Sequence, residues 1–217
     1  MKQLRLIVAD DHALILVGIR DLLRTRYEVV GEETNGKDLI DAALRLQPDM
    51  VVADITMPIL NGIDAGREIK RRLPATKLVF LTMHFSTLYL RKALDAGASA
   101  YVLKSDAATE LLNAIEIAAQ GRMYVSAGFD TAVVDSVRRR GRTRGSSRPE
   151  LTTKQKQILQ LVAEGRQSKE IAAIMHVSVK TVEFHRSRLH AKLGENSVAG
   201  LTRLAIREGL IDVSEIR

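Results

Sequence analysis

Cysteine is absent from this 217-residue chain. That excludes a disulfide scaffold, a thiolate zinc site and a catalytic thiol. Long apolar runs are absent as well. The opening MKQLRLIVADDH has only a few consecutive apolar residues before two aspartates. It is too short and too acidic for a secretory h-region or a membrane span. No repeat of solenoid period is visible. The expected setting is therefore a reducing compartment, the cytoplasm, with no membrane partner. What the chain does have is a core-forming composition, 46% hydrophobic and 27% charged. Its length suits one large domain or two ordinary ones.

The formal net charge is +7, and its distribution says more than its total. Residues 1–130 hold 16 Lys+Arg and 17 Asp+Glu, a net of −1. Residues 131–217 hold 17 and 9, a net of +8. The change begins in a stretch from Arg138 to Pro149 that is rich in Gly, Ser and Arg and has no large apolar residue. Its like charges repel, so it reads as a mobile linker. The expected organisation is a domain over 1–122, a linker over 123–148 and a second domain over 149–217.

The front half alternates. Strands are expected at Leu4–Ala9, Tyr27–Gly31, Met50–Ala53, Lys77–Thr82 and Ala100–Leu103. Helices are expected at Ala13–Leu23, Asp38–Leu46, Ile63–Leu73, Ser86–Ala96 and Ala107–Gln120. Near-continuous apolar strands with helical crossovers indicate an α/β fold, a doubly wound five-stranded parallel sheet. Such sheets carry their sites at the carboxyl ends of the strands.

Those ends converge. Strand one ends in Asp10 and Asp11, strand three in Asp54, strand four in Thr82 and strand five in Lys104. Taken singly, each aspartate is more often a helix cap, and Lys104 a solvated lysine. Together they form a carboxylate cluster that repels itself unless a hard cation such as Mg2+ sits within it. A carboxylate beside Mg2+ can attack phosphorus and form an acyl phosphate. Lysine and threonine suit the phosphoryl oxygens.

The segments Ile7–His12, Asp54–Gly62, Leu81–His84 and Tyr101–Lys104 resemble the receiver domain of two-component response regulators, over roughly residues 3–121. The resemblance implies that Asp54 is the phosphoacceptor. It implies that Asp10, Asp11, Asp54 and the Thr56 backbone carbonyl hold Mg2+. Thr82 and Lys104 would contact the phosphoryl group, and Thr82 and Tyr101 would act as the switch. On the residues alone Tyr101 could equally be a half-buried strand tyrosine. Ser105 stands where many receivers have proline, and Ser105-Asp106 reads as a helix cap.

The back half is helical in pattern. Thr152 or Thr153, Ser168, Ser178 and Ser197 are the expected caps of four short helices, with Gly165 and Gly194 as stops. A tight turn at His176-Val177 joins the middle pair, which indicates a helix-turn-helix. The third helix presents Lys180, Thr181, Glu183, Phe184, Ser187, Arg188 and Lys192 outward. A helix of this size fits a major groove, with basic residues on phosphates and N-terminal residues at base edges. A solvated basic helix is the plainer alternative, weakened by the +8 of this half. Thr181, Arg186 and Arg188 are the expected phosphate contacts.

Leu151–Gln155, Ala163–Gly165, Lys169–Ala172, Val177–Val182 and His185–Gly194 are similar to the LuxR-type helix-turn-helix, over roughly 149–212. A receiver joined to this domain is the arrangement of the NarL/FixJ class. The resemblance implies a transcription factor phosphorylated by a sensor histidine kinase, dimerising and binding an inverted repeat of double-stranded DNA. Lys169 joins the DNA-binding set. Glu183, Phe184 and Ser187 stand where relatives reach base edges. Glu183 can accept from cytosine N4, or it can hold Arg188 or Lys180 in place. Thr153-Lys154-Gln155 replaces the family's Pro-Arg-Glu, so the first helix is expected to be tied in differently.

Three other functions compete. A phosphatase using Asp54 would want a second aspartate two residues on, and Thr56 stands there. A receiver used only for dimerisation or protein contact, with DNA binding independent of phosphate, conflicts with an intact set of site residues. RNA binding through the arginine-rich linker lacks an accompanying aromatic pair.

Overall fold

The apolar runs that end in aspartate, threonine or lysine become the strands of one parallel sheet. The computed structural model describes residues 3–129, 134, 151–195 and 197–211. They divide into two units. In the first, β1 (Arg5–Ala9), α1 (Ala13–Arg24), β2 (Glu28–Glu33), α2 (Gly36–Leu46), β3 (Met50–Asp54) and α3 (Gly62–Arg72) are followed by β4 (Lys77–Thr82), α4 (Thr87–Asp95), β5 (Ala100–Leu103), α5 (Ala107–Ala119) and β6 (Tyr124–Val125). The sheet order is β2-β1-β3-β4-β5-β6, and all pairings are parallel.

Alternation assigns the strand residues to two faces. Leu6, Val8, Met50, Val52, Val79, Leu81, Ala100 and Val102 pack with Leu16, Ile19 and Leu23 of α1 and Leu111, Ala114, Ile115 and Ala118 of α5. Ile7, Val51, Ala53, Leu78, Phe80 and Tyr101 alternate to the opposite face and are equally buried. Close approach there needs a missing side chain: a Cβ on Gly66 of α3 would lie 2.8 Å from the Phe80 ring. Strand order reverses beside β1 and β3, the place where a doubly wound sheet opens its site.

The sheet has six strands, a correction to the expected five. Tyr124 and Val125 pair with Ala100 and Tyr101. The Ser126 N–H donates to the Tyr101 carbonyl at 2.9 Å, and the Leu103 N–H to Ser126 Oγ at 3.0 Å. A two-residue strand leaves no alternation to read. The first residues of the expected linker thus belong to the sheet. Other boundaries move by a turn or less. Strand β2 runs on to Glu33 because Glu32 and Glu33 keep register with Val8 and Ala9. Helix α2 starts at Gly36 because Asn35 Oδ1 accepts from the Asp38 N–H at 2.9 Å. Asp106 stands at the N-cap of α5 without a capping hydrogen bond from its side chain.

The second unit holds α6 (Thr153–Ala163), α7 (Ser168–Met175), α8 (Val179–Leu193) and α9 (Val198–Arg207). Thr152, not Thr153, caps α6. Its Oγ1 accepts from the Gln155 N–H at 3.3 Å, and Gln155 Oε1 accepts from the Thr152 N–H at 3.1 Å. This is a capping box. Gln155 supplies its side-chain oxygen without charge. Gln167, not Ser168, stands at the N-cap of α7, and Ser168 is its first helical residue. Ser178 and Ser197 cap α8 and α9 as expected. Ile158, Leu161, Ile171, Val182, Leu189, Leu201 and Leu204 form this unit's core. Among the described residues no helix is long and apolar enough to cross a membrane.

Candidate functional site

The strand ends meet as their positions require. Asp10 follows β1 and is fully buried; Asp54 closes β3 at 3% exposure; Thr82 closes β4, also fully buried. Lys104 follows β5, and its ammonium Nζ lies 2.6 Å from Asp54 Oδ2 and 2.6 Å from Asp10 Oδ2. Two buried carboxylates therefore share one cation. Burial pushes the Asp54 carboxyl up to about 6 against the pull of Lys104, and Asp10 adds to the rise. Burial works to lower the Lys104 ammonium, but Asp54 and Asp10 outweigh it and hold it above the ordinary lysine range.

The cluster is still short of positive charge. Asp10, Asp11, His12 and Asp54 each offer a ligand atom, and these atoms lie within 4.8 Å of one another. Asp10 Oδ2 meets the lysine as an ion pair rather than through an aligned hydrogen bond. Asp11 is exposed at the mouth. A partly open, oxygen-rich set with an uncompensated carboxylate fits a hard divalent cation. Neither Asp10 nor Asp11 caps α1; His12 stands at that N-cap.

Gly62 explains how Asp54 is held. A Cβ at this position would overlap the Asp54 carbonyl oxygen, and the Gly62 N–H donates to the Ile55 carbonyl at 2.8 Å. The Thr56 N–H donates to Asp54 Oδ1 at 3.3 Å. Thr56 Oγ1 is 3.1 Å from His84 Nε2. His84 also donates its N–H to Thr82 Oγ1 at 2.9 Å, and its ring stacks on Tyr89 with centroids 4.6 Å apart.

Tyr101 is fully buried, not half-buried. Its hydroxyl donates to the His84 carbonyl at 3.0 Å. Burial raises the phenol well above its ordinary range, with a hydrogen bond to Thr82 pulling the other way. Phe129 meets the Tyr101 ring edge-on, with centroids 5.4 Å apart, and lies tilted against the Phe85 ring at 4.5 Å. Ser126 donates to Glu110 Oε2 at 2.5 Å. Phe129 and Ser126 carried no signal of their own in the sequence, because each works through a contact between segments distant in the chain, and His84 entered only as the last residue of the Leu81–His84 segment.

In the helical unit, Lys180, Glu183, Phe184, Ser187 and Arg188 form one exposed stripe of α8, and Lys169 on α7 is exposed. Thr181, Arg186 and Lys192 are half-buried beside it. The Arg188 guanidinium lies 4.9 Å from the centre of the Phe184 ring, a cation–π geometry. Thr181 Oγ1 is 2.8 Å from Ser178 Oγ within the cap. Glu183 holds neither Arg188 nor Lys180. Its Oε1 accepts from Ser168 Oγ and lies 3.7 Å from Arg186. Leu201 and Leu204 of α9 are buried in their own unit, whereas Val198 is 49% exposed.

Comparison with known proteins follows the same division. The family described as response regulator receiver domain matches residues 6–116. The family described as bacterial regulatory proteins, luxR family, matches residues 149–205. The transcriptional regulatory protein MctR of Rhizobium johnstonii is 35% identical over 211 residues, 96% of each chain. The RcsB response regulator of Salmonella enterica serovar Typhimurium has been solved bound to promoter rprA with a phosphomimetic. That structure is 29% identical, covers 93% of this chain and 98% of its own, and has a TM-score of 0.56. RcsB has also been solved as two dimers bound to two parallel DNAs, at 28% identity over 93% of this chain and 97% of its own, TM-score 0.55.

Proposed function

The chain belongs to the response regulators that join a receiver domain to a luxR-type DNA-binding domain, and from that premise we propose that phosphorylation of Asp54 governs its dimerisation on duplex DNA. It is a phosphorylation-controlled regulator of transcription, and a sensor histidine kinase is its upstream partner. The observation that carries the assignment of Asp54 is its burial beside an ammonium 2.6 Å away that is shared with Asp10.

One carboxylate oxygen of Asp54 attacks the phosphorus of a phosphohistidine or a small acyl phosphate. The new O–P bond forms as the donor's P–N or P–O bond breaks, and the donor leaves with the electron pair. Lys104 turns from the carboxylate to the incoming phosphoryl oxygens, and Thr82 Oγ1 donates to another. Asp10, Asp11, Asp54 and the Thr56 carbonyl would hold Mg2+, which supplies charge neutralisation for those oxygens. Hydrolysis of the acyl phosphate restores Asp54 and releases inorganic phosphate. Turnover in this reading is confined to that transfer.

Moving the Thr82 hydroxyl toward the phosphoryl group changes what Tyr101 and the His84 backbone can bond, so charge added at Asp54 biases a second arrangement of the β4 and β5 ends. The receiver runs through the sixth strand, the linker follows, and the DNA-binding domain starts near 149. Lys169, Lys180, Thr181, Arg186, Arg188 and Lys192 face phosphates, with Phe184 and Ser187 toward base edges of an inverted repeat. Action on DNA and a cysteine-free composition support a cytoplasmic location. Asp54→Asn incubated with phosphodonor and Mg2+ is expected to take up no acid-labile phosphate. Wild-type stoichiometry in that variant would refute the assignment.

A further inference from the structure

An acid on the exposed stripe of a DNA-reading helix is an electrostatic liability. Glu183 faces outward between Lys180 and Ser187 on α8, where duplex phosphates would repel it. Its surroundings answer that charge. Ser168, the first helical residue of α7, donates its hydroxyl to Glu183 Oε1 and accepts from Arg186 Nη1 at 2.6 Å. The Glu183 carboxylate itself lies 3.7 Å from that guanidinium. One hydroxyl thus joins an acid and a base on α8 to the start of the preceding helix. The Arg186 side chain is 22% exposed and that of Glu183 56%.

We propose that Glu183 is a positioning residue for Arg186 and not a reader of bases: with Ser168 it fixes the guanidinium beside the groove face, aimed at a backbone phosphate. The inference rests on α8 being the DNA-reading helix. An arginine has five N–H donors. Nη1 is engaged by Ser168 and faces Glu183, while among the described residues Nε and Nη2 make no hydrogen bond and can take phosphate oxygens in two-point geometry. Glu183 already accepts from Ser168 through Oε1 and lies beside Arg186, so turning that oxygen to a cytosine amino group would break this arrangement. A pair exposed on the Glu183 side adds little to stability. Its value lies in holding a long side chain ready, which lowers the ordering cost on binding.

The test uses the full-length protein with acetyl phosphate and Mg2+. Bound sequences are selected from a random duplex pool, and affinity for the winning duplex is then followed against salt. Glu183→Ala and Ser168→Ala are each expected to select the same consensus as wild type and to bind it roughly tenfold more weakly. Their log–log salt slopes should be shallower by about 0.9, as for Arg186→Ala, because one phosphate contact is lost. The double variant Glu183→Ala/Arg186→Ala should bind no worse than Arg186→Ala alone. Glu183→Gln keeps an acceptor for Ser168 and is expected to recover most of the loss, with an unchanged melting temperature throughout. A changed base preference at one consensus position in Glu183→Ala would overturn the proposal. So would tighter binding by that variant, which is what bare removal of a repelling charge predicts. If the wild-type chain enriches no sequence at all, the DNA-reading assignment of α8 falls and this inference falls with it.

Discussion

At the residue scale, charge balance decides behaviour. Asp10, Asp54 and Lys104 place two buried carboxylates on one ammonium. Asp54→Asn removes one negative charge and leaves a matched Asp10–Lys104 pair. The Asp54 carboxyl is raised to about 6 from 3.8, so the folded state holds its proton more tightly than the unfolded chain. Stability from that preference is present below pH ~4 and is lost as the pH rises through about 6. In metal-free buffer, Asp54→Asn should therefore be more stable than wild type at pH 7.5, by about 1–3 kcal/mol. The advantage should shrink toward pH 4, measured by chemical denaturation at each pH. Lys104→Met should behave in the opposite sense. It leaves both carboxylates unpaired and should cost about 3–5 kcal/mol at neutral pH. These charged residues were legible in the sequence because a parallel sheet brings its strand ends together. Ser168 was not, since its link to Glu183 and Arg186 depends on the crossing of two helices.

At the scale of elements, the fit of α3 against β3 is the tightest constraint on the site. Gly62→Ala would drive a methyl group into the Asp54 carbonyl. Backbone must move, so a loss of about 1–3 kcal/mol is expected, together with slower uptake of phosphate from acetyl phosphate. Retention of both wild-type stability and rate would mean that the loop yields freely. The helix caps show how far local sequence reaches. Thr152, Ser178 and Ser197 cap their helices as their residue types suggest, because a cap is a contact within one turn. Gln155 completes the box at α6, and Thr152→Val should cost about 1 kcal/mol by thermal melting. The sixth strand leaves no mark in the sequence for the opposite reason. Tyr124 and Val125 are fixed by β5, by Ser126 bonded to Leu103 and by Phe129 set edge-on against Tyr101. None of those contacts is local.

At the scale of the whole molecule, the charge division of the sequence matches the division of labour: a near-neutral receiver and a basic reader of DNA. The arginines from 138 to 148 lie outside the described residues. Their expected effect is electrostatic. Replacing Arg138, Arg139, Arg140, Arg142, Arg144 and Arg148 with glutamine should leave the selected sequence unchanged and make the salt dependence of binding shallower. An unchanged slope would mean that these charges stay in solvent. Phosphorylation of the first unit is expected to govern DNA binding by the second, which a titration checks. Affinity for the selected duplex is measured with and without acetyl phosphate and Mg2+, for wild type and for Asp54→Asn. The phosphodonor is expected to tighten wild-type binding about tenfold or more and to leave Asp54→Asn unmoved. Equal affinity for wild type in both conditions, or the same tightening in Asp54→Asn, would contradict this expectation.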